Sequence, residues 1–302
     1  MTRNSSRSSG SDVHVSVLLR EILSFAPGPT RRILDATVGM GGHAFALLSE
    51  HGDASLLAFD RDEKALELAG ERLAPFAPRV ELRHGDFRDG MSSVPPGSLC
   101  YAIADLGVSS LQLDDKDRGF SFRFDAPLDM RMDPRSGRSA SDILNTASER
   151  ELERILTEFG EEPKARAIAR SVVMERRTRS NWTTGAFASL VRRDAHGRPG
   201  LDPSTRAFQA LRIATNRELE GLDQGLERLA QLLRPGGRLA VIAFHSLEDR
   251  IVKNLFRNLK KSGAFELLTP KPIAPQDDET RTNPRARSAK LRVIEKRAEA
   301  IS

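Results

Sequence analysis

Apolar residues fall into two alternating patterns along most of this chain. Short, nearly continuous apolar runs occur at Ile33-Leu34, at Leu56-Leu57-Ala58-Phe59, at Val80 and Leu82, and from Leu99 to Ala104. Between them, helically spaced apolar positions appear, such as Leu66, Leu68 and Leu73. Runs of four to eight apolar residues bounded by turn signals predict buried strands, and the 3.6-residue spacing predicts helices packed on them. Repeated strand-then-helix units predict an α/β fold with a mainly parallel sheet covered on both faces. Residues 13–25 lead in with a helical pattern (Val17, Leu18, Ile22, Phe25) that stops at Pro27-Gly28-Pro29.

The alternation breaks after Asp105. Residues 107–137 carry glycines, turns and charges with little periodicity, a length that a compact domain tolerates mainly where the loop is functional. From 141 to 175 the period is helical (Ile143, Leu144; Leu152, Ile155, Leu156, Phe159; Ala165, Ile168, Ala169, Val172), with a candidate capping box at Ser148-Glu149-Arg150-Glu151. Helical spacing continues over 184–191 and 206–219, and no strand alternates with these segments. Residues 138–214 are therefore expected to be an inserted all-helical domain. A helix over 222–233 restores the first pattern, and Arg234-Pro235-Gly236-Gly237 ends it ahead of the buried strand Leu239–Phe244. Two last strands are expected at 266–268 and 290–294, with 270–288 as a loop. The sheet domain thus comprises residues 12–137 and 215–302, after a Ser/Arg/Gly-rich tail at 1–11 expected to be disordered.

Chemistry is densest where the first strand ends. Ile33-Leu34-Asp35-Ala36-Thr37-Val38-Gly39-Met40-Gly41-Gly42-His43 is a strand, a glycine turn and a helix start, the arrangement by which an open α/β sheet presents backbone N–H groups to a nucleotide-like ligand. Glycine at Gly41 and Gly42 lets a ligand lie against the backbone. Asp60 closes the second strand 21 residues after Gly39, the spacing at which a carboxylate receives ribose hydroxyls. The same loop fits the looser dinucleotide pattern G-x-G-x-x-A, so S-adenosylmethionine, a nicotinamide dinucleotide and a purely structural turn all remain open at this point.

Bulk composition narrows the setting. The chain has 302 residues, 39% hydrophobic and 29% charged, and 47 basic against 42 acidic residues give a net charge of +5. A basic balance favours an anionic partner or simply solubility. Cys100 is the single cysteine, expected as a small core residue, so no intramolecular disulfide forms and a reducing, cytoplasmic setting is expected. No run of 18 apolar residues predicts a membrane helix, and the first residues lack the apolar stretch of a secretory signal.

Longer motifs resemble one family. Leu233-Arg234-Pro235-Gly236-Gly237 before a strand resembles class I S-adenosylmethionine-dependent methyltransferases, whose sheet is Rossmann-like. Asp105-Leu106-Gly107-Val108-Ser109-Ser110-Leu111-Gln112-Leu113-Asp114, Arg118-Gly119-Phe120-Ser121-Phe122 with Pro127-Leu128-Asp129-Met130-Arg131-Met132-Asp133, Phe208-Gln209-Ala210-Leu211-Arg212-Ile213, Phe244-His245-Ser246-Leu247-Glu248-Asp249-Arg250, and Asn283-Pro284-Arg285-Ala286-Arg287-Ser288-Ala289-Lys290-Leu291-Arg292 are similar to the small-subunit ribosomal RNA methyltransferase H (MraW-like) family. The likeness runs from about residue 14 to 296. Asp202-Pro203 stands where the family suggests His-Pro, and Ala243 where it suggests a serine.

The resemblance implies methylation of the exocyclic N4 amine of a cytidine in the decoding region of 16S rRNA, on free RNA or on the small ribosomal subunit. It implies cofactor contacts at Gly41, Gly42, His43, Asp60, Phe87, Asp105 and Gln112, with no metal. Asp86 is an alternative adenine partner. Asp105, ending the fourth strand, would accept a hydrogen bond from the target amine, and His245 is a second catalytic candidate for receiving its proton. The Asp-Pro-Pro-Tyr signature of many amino-methylating enzymes is absent here. Arg285, Arg287 and Lys290 lie in the densest basic segment and are candidates for RNA phosphates. A nicotinamide oxidoreductase and a catalytically silent RNA-binding assembly factor stay as alternatives, and the oligomeric state, monomer or homodimer, is left open.

Overall fold

The computed structural model describes residues 16–195 and 202–298; the expected tail and the start of the first expected helix lie outside the described residues. A seven-stranded sheet contains β1 (Arg32–Asp35), β2 (Ser55–Asp60), β3 (Val80–His84), β4 (Leu99–Asp105), β5 (Leu233–Ala243), β6 (Phe265–Leu267) and β7 (Lys290–Lys296), in the order β3-β2-β1-β4-β5-β7-β6. The first five strands pair in parallel, while β7 is antiparallel to both β5 and β6. This is a Rossmann-like sheet. The strand order reverses between β1 and β4, and a crevice at the carboxyl ends of the strands flanking that reversal is where such sheets bind ligands.

Side-chain alternation along each strand feeds two cores. Ile33, Leu56, Ala58, Tyr101 and Ile103 face α1 (Leu19–Ser24), α2 (Gly42–Glu50) and α3 (Glu63–Leu73) through Ile22, Leu47, Leu48, Ala69 and Leu73. Leu34, Leu57, Phe59, Ala102 and Ala104 face the opposite layer, made by the short α4 (Phe87–Gly90), α11 (Leu222–Gln231) and α12 (Ser246–Lys261), through Met91, Leu226, Leu229, Val252 and Phe256. Cys100 is buried at the start of β4, its Sγ facing Nε of Arg234 at 3.2 Å.

Two local expectations change. Arg234 to Gly237 do not merely end a helix; they belong to an eleven-residue β5 already paired at Leu233 with Leu99, and the register slips between Leu99 and Tyr101. A Cβ on Gly237 would sit 2.7 Å from the Leu99 carbonyl oxygen, so glycine permits this irregularity. Residues 270–288, expected as a loop, hold α13 (Asp277–Thr282) and a 3-10 turn over Pro284–Ser288. Glu279 of α13 accepts the Leu18 N–H at 2.7 Å, and Ala286 is fully buried, which anchors the segment against the sheet domain.

Between β4 and α11 lie α5 (Ser110–Asp114) and then five helices: α6 (Ala140–Thr146), α7 (Glu149–Glu158), α8 (Ala165–Glu175), α9 (Thr184–Asp194) and α10 (Ser204–Asn216). The five share a core of their own, including Leu144, Leu152, Ile155, Ile168, Trp182, Phe187, Phe208 and Leu211. That core also takes in Phe120, Leu128, Met130 and Met132, which precede the expected boundary at 138. The aperiodic loop is therefore part of the helical lobe. Ser148 caps α7 one way only, whereas reciprocal capping boxes form at Ser109/Gln112 and Ser139/Asp142.

Polar side chains fasten the lobe to the sheet domain. Asn216 donates to the Met130 carbonyl at 2.8 Å and accepts the Met132 N–H at 2.7 Å, while its own carbonyl receives Arg61 at 2.8 Å. Arg118 donates to buried Asp62 at 2.9 Å and to the carbonyls of Arg131 and Met132.

Candidate active site

A cavity of about 330 Å³ opens at the carboxyl ends of β1, β2, β4 and β5. Gly39, Gly42, His43, Asp60, Phe87, Asp105, Gln112 and Arg285 line it, together with Met132, Arg212 and Glu218 from the lobe side and Glu248 from α12. Of the sequence-derived candidates, Gly41, His245, Arg287 and Lys290 are not on its wall.

The glycine loop works differently at each glycine. Gly39 has φ +52° and its missing Cβ leaves open space, while its N–H donates to Asp60 Oδ2 at 2.7 Å. Gly41, also left-handed at φ +77°, turns its Cβ position toward Ala69 and Leu73 of α3. The left-handed backbone is what calls for glycine here, and the Cβ position meets α3 at ordinary contact distance rather than the cavity. A Cβ on Gly42 would collide with Ser16 Oγ at the cavity edge.

Three acidic side chains with no lysine or arginine ion pair among the described residues sit around this loop. Asp35, fully sequestered at the end of β1, is pushed up to about 7 by burial, only partly offset by the Thr37 N–H and reinforced by the negative field of Asp60. Asp60 is raised to about 6 by burial, against hydrogen bonds from the Asp62 and Gly39 N–H groups at 2.9 and 2.7 Å. Asp105 is raised well above the usual carboxylate range by burial and by the nearby Asp35 and Glu248. Its Oδ1 is buried with no hydrogen-bond partner among the described residues, and its Oδ2 lies 3.7 Å from Nδ1 of His43. His43 Nε2 lies 2.8 Å from the Val17 carbonyl, which marks that nitrogen as the donor.

Other candidates line the cavity with their polar ends already engaged. Gln112 donates to Asp62 at 2.9 Å and accepts the Ser109 N–H at 3.0 Å. Asp86 caps α4 and binds Arg88; burial opposes its charge, but the Arg88 contacts outweigh it and hold it below the usual carboxylate range. Phe87 presents a buried aromatic wall.

His245 is not placed to receive a proton from the cavity. As N-cap of α12 its Nδ1 accepts the Glu248 N–H at 3.4 Å, and its Nε2 faces Glu248 Oε1 at 3.1 Å. Both nitrogens turn inward. Glu248 is the residue that sequence reasoning missed: it is 2% exposed, lines the cavity, and accepts the Phe244 N–H on Oε2 at 2.8 Å. Burial opposes its charge, but His245, Arg212 and the Phe244 N–H together keep it below the usual range, hence ionised. Arg212 from α10 was missed as well; it forms a two-pronged pair with Glu218 at 3.0 and 2.8 Å. Only its place in a long polar-apolar motif singled it out. Glu218, His245 and Glu248 lie close enough to share a metal ion, but both Glu218 oxygens already serve the Arg212 guanidinium.

The basic segment is also changed by its surroundings. Arg285 pairs with Asp114 at the cavity mouth, and Lys290 lies 3.3 Å from Asp249, which binds Arg292 at 2.7 Å. Arg287 is exposed, with no ion pair among the described residues.

S-adenosylmethionine fits this donor set. Its sulfonium and ammonium are cationic, and the cavity offers an Asp105 carboxyl oxygen with no hydrogen-bond partner among the described residues, close to Asp35 and Glu248, whose acidic groups a bound cation would favour in their charged forms. Asp60 keeps lone pairs for a diol beside its two backbone donors, and Phe87 supplies an apolar face for a planar ring.

Known proteins agree with this reading. Residues 11–297 match the MraW methylase family. The chain is 48% identical over 290 residues to the ribosomal RNA small subunit methyltransferase H of a Cyanothece species, covering 94% of this chain and 95% of that protein. The protein of the same name from Syntrophotalea carbinolica is 46% identical, with 93% and 97% covered. Among solved structures, an rRNA methylase from Streptococcus thermophilus overlays with a TM-score of 0.43 at 13% identity, covering 92% of this chain and 93% of that one. The dinucleotide alternative left open by the glycine loop falls away. The chain belongs to the MraW methylase family, with S-adenosylmethionine as its methyl donor.

Proposed function

We propose that this chain methylates ribosomal RNA of the small subunit, at the exocyclic N4 amine of a cytidine in the decoding region. The family match and the full-length relatives named for small-subunit rRNA support the RNA substrate. The observation that carries the amine is the acidic end of the cavity, where Asp105 and Glu248 meet beside the glycine loop. An exocyclic amine offers two N–H donors to two carboxyl groups, whereas a hydroxyl offers one and a ring carbon none.

When bound, the cofactor supplies an activated methyl group on a cationic sulfur. The chain's own residues do the rest. Asp60 and the N–H-lined loop fix the ribose end, and Phe87 takes the adenine ring. Asp105 orients the target amine and accepts its hydrogen bond. A cytosine N4 is a weak nucleophile because its lone pair is delocalised into the ring, so in-line positioning contributes most of the acceleration. The helical lobe, residues 138–214 extended by the loop that shares its core, recognises the RNA, and exposed basic groups such as Arg287 neutralise phosphates. No helix among the described residues is long and apolar enough to cross a membrane, and a ribosomal RNA substrate supports a cytoplasmic reaction.

The test is turnover. The purified protein is incubated with methyl-labelled S-adenosylmethionine and small subunits, or free 16S rRNA, that lack the modification. The RNA is then digested to nucleosides and resolved by mass spectrometry. N4-methylcytidine is expected. A label on a ribose oxygen or on cytosine C5 refutes the acceptor assignment, and no transfer to either substrate favours the silent assembly factor.

A further inference from the structure

The cavity's acidic end has two carboxyl groups in opposite situations. Among the described residues Asp105 has no lysine or arginine partner, and its Oδ1 has no hydrogen-bond partner. Glu248 is held by the Phe244 N–H on Oε2 at 2.8 Å; its Oε1 lies 3.1 Å from the buried His245 Nε2, and the field of the Arg212 guanidinium, itself anchored on Glu218, favours its charge. Space is left over Oε1. Gly107, at φ +91°, follows Asp105 by two residues, and a Cβ there would stand 3.5 Å from the Phe244 ring and 3.9 Å from Glu248 Oε1. The missing side chain opens a slot, walled by an aromatic ring, with Oε1 at its floor.

Resting on the N4-amine reading, we propose that Glu248 takes the proton leaving the target amine and that His245 is a positioning residue aiming its Oε1 into the slot. The N4 lone pair forms the new nitrogen–carbon bond as the methyl–sulfur bond breaks and its electron pair stays on sulfur, giving a neutral thioether. The amine then carries a positive charge, which it loses as a proton to the Glu248 carboxylate. Two carboxyl groups whose environments drive them apart divide the work: the ionised one accepts a proton, and the neutral one orients. His245 cannot substitute for Glu248, because Nδ1 is committed to the Glu248 N–H and Nε2 is buried 3.1 Å from Glu248 Oε1, away from the cavity wall, without an aligned hydrogen bond among the described residues.

The groups facing Glu248 are Asp105 from β4, Arg212 from α10 and His245 at the start of α12, with Glu218 beside Arg212. Glu248→Gln keeps the shape and removes the acceptor. Its kcat should fall by about 10²–10⁴, the usual contribution of positioned proton transfer, with cofactor Kd and RNA affinity within about threefold of wild type. At saturating cofactor, where titration of Asp60 no longer limits binding, the acidic limb of the wild-type kcat profile should disappear. Glu248→Asp, which restores a carboxylate one methylene shorter, should recover part of the rate. His245→Asn retains an N-cap acceptor and should lower kcat with cofactor Kd unchanged. Nitrogen-15 spectra of the ligand-free protein should show His245 protonated on Nε2. Wild-type kcat in Glu248→Gln, loss of cofactor affinity in parallel with kcat in both Glu248 variants, or an Nδ1–H tautomer would each overturn the assignment. If wild-type product is not N4-methylcytidine, the amine reading fails instead, and nucleoside analysis separates the two outcomes.

Discussion

Replacing Asp60 tests the cofactor geometry most directly. The Asp60 carboxylate accepts the Gly39 N–H at 2.7 Å and the Asp62 N–H at 2.9 Å, and its free lone pairs face the cavity. Asp60→Ala removes one charge-assisted hydrogen bond to a ribose hydroxyl, worth roughly 1.5–3 kcal/mol. That corresponds to about a ten- to hundredfold rise in cofactor Kd at 1.4 kcal/mol per decade. Releasing Gly39 adds to the loss, because the loop must be re-ordered on binding. Asp60→Asn keeps an oxygen for one backbone donor and so isolates the charge. Burial raises Asp60 to about 6, so the carboxylate is ionised at pH 8 and largely protonated at pH 5. The gap between wild type and Asp60→Asn should therefore be widest at pH 8 and shrink toward pH 5. Titration calorimetry with S-adenosylmethionine measures both, and thermal melting confirms the fold. A Kd for Asp60→Ala within twofold of wild type at pH 8, with unchanged melting, would refute the ribose assignment.

Three more outcomes follow from particular contacts. Asp35 is about 7 when folded against 3.8 when unfolded, so the folded state holds the extra proton and its stabilising contribution, present below pH 4, is lost as pH rises through 7; the change is roughly 4 kcal/mol at 1.36 kcal/mol per unit. Asp35→Asn should gain stability relative to wild type between pH 5 and 8 in denaturant titrations of the ligand-free protein, and parallel curves would contradict this. Phe124 is half exposed on the lobe's loop with Lys116 Nζ 4.4 Å from its ring centre, a platform for an unpaired base; Phe124→Ala should weaken RNA binding by about 1–3 kcal/mol with cofactor Kd unchanged, and equal RNA affinity would remove it from the interface. Because Arg285 and Lys290 already have carboxylate partners, neutralising Arg285, Arg287 and Lys290 together should flatten the salt dependence of RNA binding by roughly one log–log unit, chiefly from Arg287; a change near three would show that the pairs open on the RNA.

Local sequence determined the parts of this protein that depend on local physics. Strands show themselves because Ile33 and Leu34, or Leu56 and Leu57, feed opposite cores, and the glycine loop and Asp60 are legible because a left-handed turn and a strand-end carboxylate lie close together in sequence. The long motifs carried the family. What a side chain meets across the fold was not legible. His245 reads as a proton acceptor until α12 turns both its nitrogens toward Glu248. Arg285 and Lys290 read as open cations until Asp114, 171 residues earlier, and Asp249, 41 residues earlier, come alongside. The lobe's boundary moved for the same reason: Leu128, Met130 and Met132 alternate as in a strand but form none, Phe120 stands apart from them, and their core is built by helices that come later in the chain. Periodicity records which face of an element is buried. Charge compensation and proton position depend on partners that only tertiary packing brings within a few ångströms, and there only the folded structure decided.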